Sequence, residues 1–193
     1  MRIAVVTGNP KPASRTHGVA LAVADLLAAE LAPPPAPAAA QSPPAAAQAP
    51  DPAAAAAAAA AHLVIDLAEH APSLFDWSAA ELSRLTAEVA AADVAIFASP
   101  TYKAAYTGML KAFLDRYSNN GLAGVVAVPV MTGGWPGHLL AVEVHLRPVL
   151  VELGATVPAR GLYVTEPEFG NLDAVIAKWA ESAVPLISRA LNP

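Results

Sequence analysis

Short apolar runs alternate along this chain with longer segments in which apolar residues recur every three or four positions. Ile3–Thr7, Leu63–Ile65, Val94–Ala98 and Val125–Met131 are bounded by turn residues and rich in β-branched side chains, and Val157–Val164 is a weaker fifth run. Each predicts a strand. Val125–Met131 is apolar throughout, the pattern of a strand covered on both faces. The intervening segments predict helices. The first starts near Ser14 or Thr16 and continues through Val19, Ala20, Val23, Leu26 and Leu27 to about Leu31. Ser78-Ala79-Ala80-Glu81 has the form of a capping box, which predicts a second helix with Leu82, Leu85 and Val89 on one face. Thr107–Tyr117 predicts a third, Leu139–Leu153 a fourth closed by Gly154, and Leu172–Leu191 a last one perturbed at Pro185.

Five strands alternating with five helices imply an α/β domain: a parallel sheet with right-handed crossovers and helices on both faces. Of the two common doubly wound arrangements, the count of five favours the flavodoxin-like strand order 2-1-3-4-5. That order makes the first, third and fourth strands neighbours, so the loops after them share one rim.

Those three loops carry the unusual sequences. Gly8-Asn9-Pro10-Lys11-Pro12-Ala13-Ser14-Arg15-Thr16 contains neither Gly-x-Gly-x-x-Gly nor a P-loop ending. Two prolines stiffen it, and Ser14-Arg15-Thr16 then opens a helix. Free N–H groups, hydroxyls and the helix dipole there suit a phosphate, with Arg15 adding a charge-assisted contact; a plain N-cap with a solvated arginine is the competing reading. The second loop, Ser99–Tyr106, offers Pro100, Thr101, Tyr102 and Lys103 and then Gly108 in the first turn of a helix, where glycine suggests a close approach by ligand or neighbouring chain. Packing against the fourth helix is the alternative. The third, Thr132-Gly133-Gly134-Trp135-Pro136-Gly137-His138, has backbone that can lie against a flat ligand. Trp135 covers a ring or sits at an interface; His138 caps a helix or, less simply, moves a proton. Lys111 and Asp115 form an i,i+4 pair expected to be solvated. A phosphate site beside a flat wall with aromatic residues points to a flavin nucleotide.

Composition narrows the choice. The 193 residues suffice for one domain with a sizeable core. Eleven Lys and Arg against 16 Asp and Glu give a net charge of −5, with no basic run, which argues against a nucleic-acid surface. With zero cysteines there are no disulfides, thiolate metal sites, iron–sulfur clusters or cysteine nucleophiles, so redox chemistry needs a borrowed cofactor. His138 and His145 lack a third ligand at suitable spacing, so no metal site is expected, and no serine sits in a nucleophile elbow. The apolar N-terminus is too short for a signal-peptide core and no run approaches the ~20 residues of a membrane span, so a cytoplasmic protein without membrane contact is expected. Residues 32–61 hold 18 Ala and 8 Pro, with Gln41, Ser42, Gln48 and Asp51 besides. This reads as a low-complexity insertion in a single 1–193 domain, disordered or polyproline-like over Ala32–Pro52 and helical for a turn or two over Ala53–Ala61.

At Thr7–Thr16, Ala98–Asp115 and Thr132–Ala141 with Leu146–Leu150, the chain resembles the NADPH-dependent FMN reductase family, in particular the flavin reductases that supply reduced FMN to sulfonate monooxygenases. The resemblance covers nearly everything outside 32–61. It implies that Ser14, Arg15 and Thr16 bind the FMN phosphate, that Pro100, Thr101, Tyr102 and Lys103 line the isoalloxazine, and that Thr132, Gly133 and Gly134 flank its other edge. It further implies FMN with NADPH, or NADH, as the nucleotides, a flavin-dependent monooxygenase as a partner, and a homodimer or homotetramer with the third and fourth helices at the interface. Lys11 and Arg15 are candidates for a 2′-phosphate. Some sulfonate-type members carry a tyrosine in the fourth helix associated with a π-bulge; Val144 and His145 stand at the equivalent positions here. No side chain is expected as an indispensable acid or base. A flavin-retaining quinone or azo reductase, a flavodoxin-type electron carrier and a non-enzymatic binding module are the competing readings.

Overall fold

The computed structural model describes residues 1–32 and 62–192; the expectations for the Ala/Pro-rich segment lie outside them. Five strands, β1 (Ile3–Thr7), β2 (Leu63–Asp66), β3 (Val94–Pro100), β4 (Val126–Gly133) and β5 (Leu162–Thr165), form one sheet of order β2-β1-β3-β4-β5. Every pairing is parallel. The flavodoxin-like order read from the sequence is therefore the order of the molecule.

Alternation along the strands divides the core. Ile3 and Val5 of β1 face one side with Ile96, Val128 and Val130; Ala4 and Val6 face the other with Phe97 and Met131. The first face is covered by α1 (Arg15–Glu30) and α5 (Leu172–Leu191), through Val19, Val23, Leu27, Ile176 and Ile187. The second is covered by α2 (Ala80–Ala90), α3 (Gly108–Leu114) and α4 (Arg147–Glu152), through Leu82, Val89, Phe113 and Leu150. Both faces are buried, which is why β1 and β3 read as unbroken apolar runs. α5 continues through Pro185, an exposed position where water can serve the carbonyls that lose an amide partner.

Three elements depart from their sequence patterns. The Ser78 capping box does not form: the Ser78 hydroxyl donates to Asp76 Oδ1 at 2.6 Å, and α2 starts after Ala79 with no side-chain cap. A capping box forms instead at Thr165 and Glu168. The expected continuous helix Leu139–Leu153 is in three parts, a 3-10 turn at Pro136–His138, a π-helical turn at Val142–Leu146, and α4. The Arg147 N–H reaches back to the Val142 carbonyl, five residues earlier, just before Pro148 removes the next amide donor. The widened turn thus occurs with Val144 and His145 in place and no tyrosine among its residues. Finally, β5 starts at Leu162 rather than Val157. The carbonyls of Val157 and Ala159 accept from Arg147 at 2.5 and 2.7 Å, and the Gly161 N–H donates to Glu143 at 2.6 Å, so side chains of the π/α4 segment hold this stretch off the sheet.

Candidate functional site

At the C-terminal ends of β1, β3 and β4 the three loops enclose a cleft of about 300 Å3. Ser14, Arg15, Thr16, Pro100, Thr101, Tyr102, Thr132, Gly133 and Gly134 all line it, joined by Asn9, Lys11, Glu166 and Phe169. Of the ten residues expected to hold the flavin, Lys103 alone stands outside these walls, at the tip of a turn on the rim.

The phosphate-type loop is braced by its own polar groups. Asn9 Oδ1 accepts from the Lys11 N–H at 3.0 Å, and Asn9 Nδ2 donates to Thr16 Oγ1 at 3.3 Å. The Ala13 N–H, on a residue in the left-handed region (φ 47°), donates to Asp66 Oδ2 at 2.9 Å. Asp66 also caps the turn that follows β2 by accepting from Ala68 N, so this buried carboxylate ties the loop to the neighbouring strand. Ser14 is the N-cap of α1, its Oγ accepting from His17 N at 3.2 Å; among the described residues its O–H has no acceptor and is free to donate. The Arg15 and Thr16 amides, first in the helix, have no intrahelical carbonyl within reach. Two amides, a hydroxyl proton and a guanidinium are a donor set for an oxyanion.

Thr132 does something the sequence did not reveal. Its hydroxyl lies 2.7 Å from Thr16 Oγ1, both buried, and so joins the end of β4 to the first turn of α1 beneath the cleft. Its carbonyl accepts from Thr101 N at 2.7 Å. Gly133 and Gly134 differ in use. A Cβ at Gly133 would fall 2.1 Å from the Tyr163 hydroxyl, so that glycine accommodates β5; at Gly134 the space is open as far as Glu166. Gly108, expected to mark a close approach, has nothing within 4 Å of a built Cβ among the described residues. The close approach is at Gly8, where a Cβ would lie 2.4 Å from Leu110 Cβ. α3 therefore presses directly on the phosphate-type loop.

Lys103 and Ala104 both hold positive φ, 53° and 65°, between Tyr102 and Ala105, whose amides and carbonyls pair with each other. This is a tight turn of the hairpin type built without glycine, a strained conformation of the sort that persists where its surroundings enforce it. It carries Tyr102 outward, 52% exposed at the mouth. Beside it, Thr101 Oγ1 is buried with no hydrogen-bond partner among the described residues.

Glu166 and Phe169 were not anticipated from the sequence. They come from the turn after β5, and Arg15 meets both: Nη2 is 2.8 Å from Glu166 Oε1 and the guanidinium lies 4.7 Å from the Phe169 ring centroid. The pattern Thr165-Glu166-Pro167-Glu168 is itself a capping-box signature following an apolar strand, and it was the available signal. Trp135 and His138 stack edge to face at 4.9 Å, outside the cleft, and Lys111 pairs with Asp115 in solvent as expected. Among the described residues no cluster of three metal-ligating side chains occurs, and no helix is long and apolar enough to cross a membrane.

The chain is 41% identical over 87 residues to an FMN reductase (NADPH) of Escherichia coli (strain K12), covering 45% of this chain and 46% of that protein. It is 28% identical over 174 residues to the NADH-dependent FMN reductase SfnF of Pseudomonas putida, covering 88% and 80%. The matched region is about half the length of the first of these relatives. Among solved structures, an apo NADH:FMN oxidoreductase superposes with a TM-score of 0.73 at 28% identity, over 99% of this chain and 90% of that one. Residues 1–168, which contain every wall of the cleft but Phe169, match the profile described as NADPH-dependent FMN reductase, and the chain belongs to that family.

Proposed function

We propose that the protein is an NAD(P)H-dependent FMN reductase, which passes a hydride from NAD(P)H to FMN and supplies reduced flavin to a partner monooxygenase. One observation carries the reading: a single cleft combines an oxyanion donor set at the start of α1 with a wall of backbone and aromatic surface from the loops after β3 and β4. The residues fit the group. Ser14 Oγ–H and the Arg15 and Thr16 amides would hold the phosphate, with Arg15 adding charge. Thr101 Oγ1, buried and unpartnered, is positioned to hydrogen-bond a polar ring edge, and the open face at Gly134 admits a flat ring system. Pro100, Tyr102, Lys103, Thr132 and Gly133 shape or stiffen the surrounding walls. Bound there, the flavin would supply the redox chemistry; the protein supplies position and electrostatics, and no side chain has a proton-transfer role.

The nucleotide names of the relatives divide between NADPH and NADH, and NAD(P)H is the reductant proposed here. A reductant confined to the cell interior makes the cytoplasm the proposed location. A homodimer or homotetramer is supported by exposed Leu140, Val144, Pro148 and Val151, which recur at helical spacing along one outer face beside exposed Trp135. Oxidation of NADPH and NADH by purified protein, with and without added FMN, tests the activity. Consumption that rises and saturates with FMN supports a diffusible flavin and the two-component role. Turnover of a quinone or azo acceptor by yellow protein without added FMN favours a retained flavin, and no consumption in any arm overturns the reductase reading.

A further inference from the structure

We propose that Glu166 competes with the flavin phosphate for Arg15 and thereby weakens FMN binding enough for the flavin to exchange as a substrate; the proposal rests on the flavin-reductase reading. The cleft sets a carboxylate where a phosphate-binding cleft has most use for cations. Glu166 Oε1 is 2.8 Å from Arg15 Nη2, and its other oxygen, Oε2, is 3.8 Å from the point where a Gly134 side chain would begin. It thus stands between the oxyanion donors of α1 and the wall after β4. Its position is built in: Thr165 donates through both N and Oγ1 to Glu168 Oε2 at 2.7 Å, and Pro167 stiffens the turn.

The pair is made to be broken. Both side chains are more than half exposed, 65% for Arg15 and 60% for Glu166, so their mutual attraction is heavily screened. The Phe169 face under the guanidinium lets Arg15 turn from carboxylate to phosphate without losing its apolar cover. A phosphate dianion gains a bidentate partner in that exchange. It also meets the displaced carboxylate, with Lys11 the other cation of the cleft walls. Glu166 therefore opposes the phosphate twice, by occupying its arginine and by like-charge repulsion.

Titration of flavin fluorescence on protein separates these effects. Glu166→Gln is expected to tighten FMN binding by about tenfold, since it frees the guanidinium and removes a nearby negative charge. Riboflavin, which lacks the phosphate, is expected to stay within about twofold of wild type. In an Arg15→Ala background the same substitution is expected to gain only about threefold, the part due to repulsion alone. Unchanged or weaker FMN binding in Glu166→Gln overturns the proposal, because Glu166 would then orient Arg15 for the phosphate rather than compete with it. An equal gain for riboflavin, or an undiminished gain without Arg15, also overturns it. Wild-type protein that binds neither flavin overturns the flavin reading itself and the competition with it.

Discussion

Arg15 is the cleft residue whose charge does most of the proposed work, and its surroundings say how a substitution will behave. The side chain is largely exposed and its removal leaves no cavity, so Arg15→Ala is expected to leave the fold intact. Loss of one charge-assisted contact to a phosphate is expected to weaken FMN binding by about tenfold or more, with riboflavin unaffected; flavin titrations of the two ligands check this. Tyr117 gives a second test, far from the cleft. Its ring packs edge to face on Phe113 at 6.0 Å, and its buried hydroxyl has no partner among the described residues. Burial pushes its ionisation above the ordinary value of 10.0. The protonated form is favoured by folding, so stability is full below pH 10 and declines as pH rises above it. Tyr117→Phe is expected to raise stability by up to about 1 kcal/mol at neutral pH and to reduce that alkaline decline. Denaturant melts at pH 7 and above pH 10 measure both. Tyr106, raised by burial with Lys111 opposing and Asp115 adding, retains a part of the decline.

At the scale of elements, α3 acts as a clamp between two loops. Thr107, its N-cap, accepts from Leu110 N at 3.2 Å and donates to the Gly8 carbonyl at 2.5 Å, while its amide donates to Ser99 Oγ. Ser99 in turn donates to the Pro100 carbonyl. One buried hydroxyl therefore fixes the start of a helix and the exit of β1 together. Thr107→Val, which keeps the shape and loses these bonds, is expected to cost about 1–2 kcal/mol of stability, and Thr107→Ser a good deal less; thermal melts of the pair check it. The same scale explains what was legible in the sequence. Strand order and the grouping of three loops followed from apolar runs and helix spacing, because hydrophobic periodicity is local in the chain. Asp66, Glu166 and Phe169 were missed because they reach the cleft across 53, 151 and more positions of chain, and a sequence pattern carries no such pairing. The capping boxes make the point from the other side: Ser78 and Thr165 have the same motif, but the Ser78 amide and hydroxyl both donate to Asp76, two residues before, while Thr165 forms its box with Glu168.

On the scale of the whole molecule, the two faces of the sheet are unequal. α1 and α5 close one side, while the segment from Trp135 to Val151 on the other presents Leu139, Leu140, Val144 and Val151 to solvent, each more than 40% exposed. An outward apolar stripe on a π/α helix next to the cleft is the surface on which the proposed self-association rests. Leu140→Glu is expected to convert the assembly to monomers, with sedimentation velocity as the measurement; wild-type protein that already sediments as a monomer removes that part of the proposal.

α1 leaves the cleft at Ser14, and Leu31 and Ala32 after it lie beside Met1 and Asp93, at the N-terminal end of the strands, where β2 also starts. The Ala/Pro-rich connection therefore departs and rejoins on the side away from the chemistry, and Asp66 grips the phosphate-type loop after four residues of β2 are in register. In evolutionary terms the fold has a neutral port: both ends at which the sequence between positions 32 and 62 joins the described fold lie away from the residues proposed to set flavin affinity.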